Sequence, residues 1–189
     1  KIRPTSGFRD LLDSAPPSGG ICMRHHIRTF TARHEPAGRL TSHIKSALGA
    51  AAGIATVGGF SAMTELPLLI APLGATVVLL FGQPASPLAQ PVNIFGGYLL
   101  ATIIAVSTAH AFPGVWLAAA LAVGFVIAAM QVLRVTHPPA GAVPLVTLSA
   151  PLQSASLFVT ILLACLSLMV LALVHHRIPP RVPYPRPLG

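Results

Sequence analysis

The chain has 189 residues, 53% of them hydrophobic and 8% charged, and a formal net charge of +8. Between Lys45 and His175 its only formal charges are Glu65 and Arg134, too few to solvate a soluble globule of that length. The composition excludes an ordinary soluble domain and points to an all-α integral membrane protein.

Residues 1–44 read as a basic tail. Lys1 to Lys45 hold eight Lys or Arg and four histidines against Asp10, Asp13 and Glu35. Such a stretch is expected to be poorly ordered and, by the positive-inside rule, cytoplasmic. It lacks interleaved aromatics, so an anionic lipid surface suits it and nucleic acid does not. Met23 is a candidate start, and an organelle transit peptide is an alternative reading of the same stretch.

Residues 45–178 read as the transmembrane domain. Four segments are long enough to cross ~30 Å of hydrocarbon as helices: Ser46 to Met63, Asn93 to Ala111, Val115 to Leu133 and Ser154 to Val174. Gly49, Gly53, Gly58 and Gly59 mark the first as a close-packing helix, a natural contact face for a homo-oligomer. Trp116 reads as an interfacial anchor. Two shorter apolar segments, Leu68 to Phe81 and Ala140 to Leu148, each begin near a Pro-x-Gly-Ala unit. A shift of 67 residues superposes Pro72 on Pro139, Gly74 on Gly141 and Pro84 on Pro151. The expected fold is therefore four full-length helices plus two short, re-entrant or half-length ones, in an internal two-fold repeat. The alternative is six spans with inverted repeats. Residues 179–189 form a Pro/Arg-rich C-terminal tail, and both termini are expected in the cytoplasm.

The stretch from Arg134 to Ala142 interrupts an apolar run with two prolines, each lacking a backbone donor. A bilayer tolerates the break only where protein or a water-filled cavity covers the freed backbone. Arg134 and His137 beside it are functional candidates, because ionisable groups at membrane depth rarely serve packing alone. Each Pro-x-Gly-Ala start points unpaired N–H groups and a positive dipole end at whatever lies ahead. The candidate anion pathway comprises Arg134, His137, Pro138, Pro139, Gly141 and Ala142 from the second unit and Pro72, Gly74 and Ala75 from the first. Glu65 is a possible ion-pair partner for Arg134. The competing reading is that these prolines and glycines only break helices.

Other constellations are weaker. Cys22 and Cys165 offer neither a disulfide framework nor a zinc spacing. His110 with His175 or His176 is the one candidate set for haem. No catalytic pair or phosphate loop is legible. The expectation is no enzyme, no metal and no cofactor.

At these residues the chain resembles the HPP family of small membrane proteins, named for a His-Pro-Pro signature. The signature is His137-Pro138-Pro139, within Thr136 to Ala142. A second block runs from Pro72 through Thr76 and Gly82 to Pro91, then Asn93 and Gly96-Gly97. The resemblance covers roughly Lys45 to Ile178. It implies a compact domain of four transmembrane helices, with plastid and cyanobacterial relatives associated with nitrite transport. Some bacterial relatives carry a C-terminal CBS-domain pair. The reading is a transporter or channel for a small monovalent anion, nitrite first, in a bacterial inner membrane. Its expected partners are the lipid bilayer, a small inorganic anion and further copies of itself. The rivals are a non-transporting assembly module and a membrane-embedded redox protein or enzyme.

Overall fold

The computed structural model describes residues 31–33, 37–64, 70–149 and 154–187. Residues 39–189 form one unit, and the few described residues before them belong to another. Within the described residues the regular structure is entirely helical. Helix α1 is Leu40–Thr64. Helix α2, Ala71–Val77, widens into a π turn over Val78–Gly82, and a short 3-10 turn follows at Pro87–Ala89. Helix α3 is Pro91–Ala111 and α4 is Trp116–Val132. A 3-10 turn at Pro138–Ala142 leads into α5, Val143–Ser149, and α6 is Ser154–Arg177.

Helices α1, α3 and α6 are long and apolar enough to cross a membrane. Helix α4, expected to be a full span, is shorter. Its 17 residues rise about 26 Å, just under the ~30 Å of hydrocarbon. Its start is set by the turn at Pro113-Gly114, where Gly114 takes a φ of +74°. Its end is set by a left-handed cap at Arg134. Helix α1, in contrast, begins before the expected Ser46. The charge of Lys45 does not end it, because the ammonium donates to the carbonyls of Ile178 at 2.7 Å and Pro180 at 2.6 Å.

The glycines of α1 divide. A Cβ on Gly49 would meet the rings of His175 and Phe81 at 2.6 Å, and one on Gly53 would meet Leu168 and Phe81 at 3.1 Å. These two let α1 close onto α6 and the π turn, so this part of the small-residue face is used inside the bundle. Gly59 has nothing within 4 Å of such a Cβ.

Lys45 against Ile178 places the start of α1 beside the end of α6. Val182 N–H donates to His176 O, and the Tyr184 hydroxyl donates to Ala89 O at 2.8 Å. Arg186 N–H reaches Gln90 Oε1 at 2.8 Å. The C-terminal segment therefore returns across the end of the bundle where α1 and α3 start and α6 finishes. The interior holds Leu73, Phe81, Ile94, Tyr98, Val126, Met130, Leu157 and Leu168. Leu121, Phe125 and Val132 remain exposed, as side chains facing lipid must.

Candidate functional site

The long helices frame a centre made by the two short elements. Helix α2 packs against the 3-10 turn at Pro138–Ala142, and both pack on α3 or α6. Proline stands second in α2 (Pro72) and first and second in the 3-10 turn (Pro138, Pro139), so each missing N–H falls where no intrahelical partner exists.

Three polar side chains meet at this junction. Thr76 of α2, Tyr98 of α3 and His137 before the second 3-10 turn are each at most 1% exposed. His137 Nε2 lies 2.9 Å from Thr76 Oγ1, and Thr76 Oγ1 lies 2.8 Å from the Tyr98 hydroxyl. On the other side of the ring, Nδ1 lies 2.8 Å from the carbonyl oxygen of Leu88. A carbonyl only accepts, so Nδ1 carries the proton and a neutral ring presents Nε2 as the base. Thr76 then donates to Nε2, and Tyr98 donates to Thr76. Every heteroatom of the chain Tyr98–Thr76–His137–Leu88 is satisfied, as burial requires.

Backbone packing explains the precision. A Cβ on Gly97 would lie 2.8 Å from His137 Cβ and 3.1 Å from Val135 O, and one on Gly96 would lie 3.0 Å from Val135. Only glycine lets the stretch from Val135 to His137 lie flat on α3. Asn93 Nδ2 donates to the Thr136 carbonyl at 3.0 Å and fastens the same stretch. The backbone freed by the break is thereby covered by protein.

Arg134 does not join this cluster. It is exposed, with φ of +57°, and among the described residues its guanidinium has no hydrogen-bonding or ionic partner. Its backbone closes α4: Val135 N–H donates to Met130 O at 3.0 Å and Arg134 N–H to Gln131 O at 3.2 Å. That pairing is a Schellman cap, whose left-handed position is usually glycine. Pro139 and Gly141 are buried and Pro138 is exposed, while Ala142 is half-buried. Pro72 is buried with its carbonyl 3.2 Å from Thr76 Oγ1, Gly74 is half-buried and Ala75 is exposed. A Cβ on Gly74 would meet nothing within 4 Å, and one on Gly141 only Ile127 at 4.0 Å. Close backbone approach therefore occurs at Gly96 and Gly97 instead. Glu65 lies outside the described residues.

Sequence reasoning on single residues missed Tyr98 and assigned no role to Thr76 or Asn93. A signal existed: Tyr98 is one of two tyrosines in the chain and sits mid-helix among aliphatic residues.

A family model described as HPP, transmembrane region, matches residues 35–185. The chain belongs to the HPP family. The chain is also similar to two Dictyostelium discoideum proteins described as transmembrane proteins. One is 33% identical over 129 residues, covering 64% of this chain and 45% of the relative. The other is 31% identical over 129 residues, covering 64% and 42%. This HPP chain spans less than half the length of these relatives. No solved structure matches it. Family and apolar helices together make it an integral membrane protein.

Proposed function

We propose that this chain carries a small monovalent anion across the membrane together with a proton, nitrite being the first candidate, and that His137 takes the proton. The reading rests on one observation: a fully buried imidazole at the contact of the two short elements, with a hydroxyl relay on one nitrogen and a carbonyl on the other. A second proton can be received without moving heavy atoms. Thr76 turns its O–H to Pro72 O, 3.2 Å away, and its oxygen accepts from Nε2–H and from Tyr98. A buried cation without a counter-charge costs several kcal/mol, and an anion arriving with the proton offsets that cost. The two species are thus expected to move together. Nitrite stands first only because the family resemblance implies plastid and cyanobacterial relatives associated with nitrite transport.

The architecture supports this reading. We infer two inverted halves, because the shift of 67 residues carries Ala71–Gly82 onto Pro138–Ser149. The packing repeats as well: α1 on α6 corresponds to α4 on α3, and α1 on the π turn corresponds to α4 on α5. With the starts of α1 and α3 and the end of α6 at one end of the bundle, the chain between α1 and α3 must pass through it. The chain between α4 and α6 must do the same. This arrangement supports six passes, and with them the inverted-repeat alternative over re-entrant elements. Sites at the meeting of broken helices are a recurring transporter construction. Lys45, Arg177, Arg181 and Arg186 gather at one end, which supports a cytoplasmic placement for it and for both termini. Arg134, exposed at the break, serves as the first contact for an incoming anion.

The test is uptake into proteoliposomes, with nitrite, nitrate, formate and chloride compared under an imposed pH gradient. Acid on the anion's side should drive accumulation, and His137→Gln should abolish the response to the gradient. Absence of flux for all four anions, or flux indifferent to the gradient, would refute the reading. A second reading, a membrane assembly module, is favoured by an apolar groove of about 350 Å³ lined by Ile104, Phe112, Leu121 and Phe125.

A further inference from the structure

A second polar site lies apart from His137, where α1 starts and α6 ends. Ser42, Lys45 and Ser46 on the first turns of α1 face His175 and His176 on the last turn of α6, around a pocket of about 130 Å³. Pro180 and Val182 of the returning C-terminal segment line it as well. Lys45 spends two of its three N–H donors on the carbonyls of Ile178 and Pro180, leaving one.

His176 is the informative residue. It is 4% exposed, and its Nε2 lies 2.8 Å from the carbonyl of Leu80. Nε2 must therefore be the donor, which leaves Nδ1 as a bare lone pair in the neutral ring. Nδ1 is buried and has no partner. An unpaired polar atom at that depth is costly, so it marks a place where a ligand atom belongs. The surrounding charge selects the ligand. The acids of the sequence are Asp10, Asp13, Glu35 and Glu65, none of them among the described residues, while Lys45 lines the pocket and Arg177 and Arg181 are sequence neighbours of its lining residues His176, Pro180 and Val182. A metal cation would meet the lysine's repulsion, and no group of three metal-ligating side chains occurs among the described residues.

We propose that this pocket binds a phosphate group, supplied by the headgroup of an anionic phospholipid or by a soluble phosphate. Its oxygens accept from the remaining Lys45 N–H and from the Ser42 and Ser46 hydroxyls. A P–OH of a soluble phosphate donates to Nδ1 once the side chains covering that atom shift aside. A diester instead draws a second proton onto the ring, and Nδ1–H then donates to it. In both cases the orphan atom gains a partner. The α1 N-terminus adds its positive dipole end, and the location at the end of the bundle is where lipid phosphates lie. The site is independent of the transport reading.

The test uses the full chain in maltoside detergent, which carries no phosphate, with phosphatidylglycerol added in one arm and inorganic phosphate in the other. Bound lipid is counted by native mass spectrometry, and thermal unfolding is followed in both arms. His176→Gln keeps a donor for Leu80 O but removes Nδ1. The Ser42→Ala, Ser46→Ala double variant leaves the Lys45 bonds to the C-terminal segment untouched. The native chain should bind phosphatidylglycerol or phosphate at least about tenfold more tightly than either variant, since His176→Gln loses one hydrogen bond to the charged group and the double variant loses two. A response in the lipid arm alone identifies a headgroup, and one in the phosphate arm alone identifies a soluble ligand. Equal binding by native and both variant proteins, or equal stabilisation by chloride, would overturn the proposal.

Discussion

The hydroxyl of Tyr184 donates to the carbonyl of Ala89 at 2.8 Å, one residue beyond the Leu88 carbonyl that holds His137. The C-terminal segment thus braces the loop that sets the tautomer of the buried histidine. Gln90 braces it too, donating from Nε2 to Pro84 O at 3.0 Å and Ser86 O at 2.8 Å.

Tyr184→Phe should loosen that loop at modest cost, about 0.5–1.5 kcal/mol for one hydrogen bond. The same residue gives an alkaline dependence. Burial raises the Tyr184 phenol above its ordinary pKa. A neutral phenol is therefore favoured by folding, and its contribution is whole below a pH of about 10, the unfolded value, and erodes as pH rises beyond it. Thermal unfolding scanned from neutral to alkaline pH should show this erosion in the native chain and a shallower one in Tyr184→Phe.

Thr76→Val and Thr76→Ser separate the hydroxyl from the volume. Valine leaves Nε2 without a donor and Tyr98 without an acceptor, which should cost about 1–3 kcal/mol. Serine keeps both bonds and loses a methyl, about 1 kcal/mol. Melting in detergent should rank native, serine, valine. If Thr76 relays the proton, serine should retain pH-driven uptake and valine should lose it. Equal uptake by both variants would remove Thr76 from the relay.

Gly97→Ala forces a Cβ to within 2.8 Å of His137 Cβ and 3.1 Å of Val135 O. The backbone has to shift, at about 1–3 kcal/mol. Gly59→Ala is the control, because its Cβ meets nothing within 4 Å. Improved helix propensity should leave it neutral or stabilising by up to about 1 kcal/mol. Paired melting curves check both.

Arg134→Gly should stabilise the chain by about 1 kcal/mol, because glycine relieves the left-handed strain at φ +57°. Arg134→Ala keeps the strain and gains nothing. If the guanidinium attracts the anion, both variants lose uptake equally despite their different stabilities. Native uptake by Arg134→Gly would show that the side chain is dispensable.

Membrane class, helical content and the position of the break were legible in the sequence, because each follows from local composition: apolar runs, prolines and one isolated cation. What the sequence could not decide was which polar residues meet. Arg134 and His137 are three residues apart, yet the Schellman cap turns one to the surface and leaves the other buried. Thr76 and Tyr98 reach His137 only because α2, α3 and the second 3-10 turn converge, and Gly96 and Gly97 let them close. Nor does hydropathy separate interior from lipid-facing positions when both are apolar. Small residues and shape make that choice, and they act only once the helices are side by side.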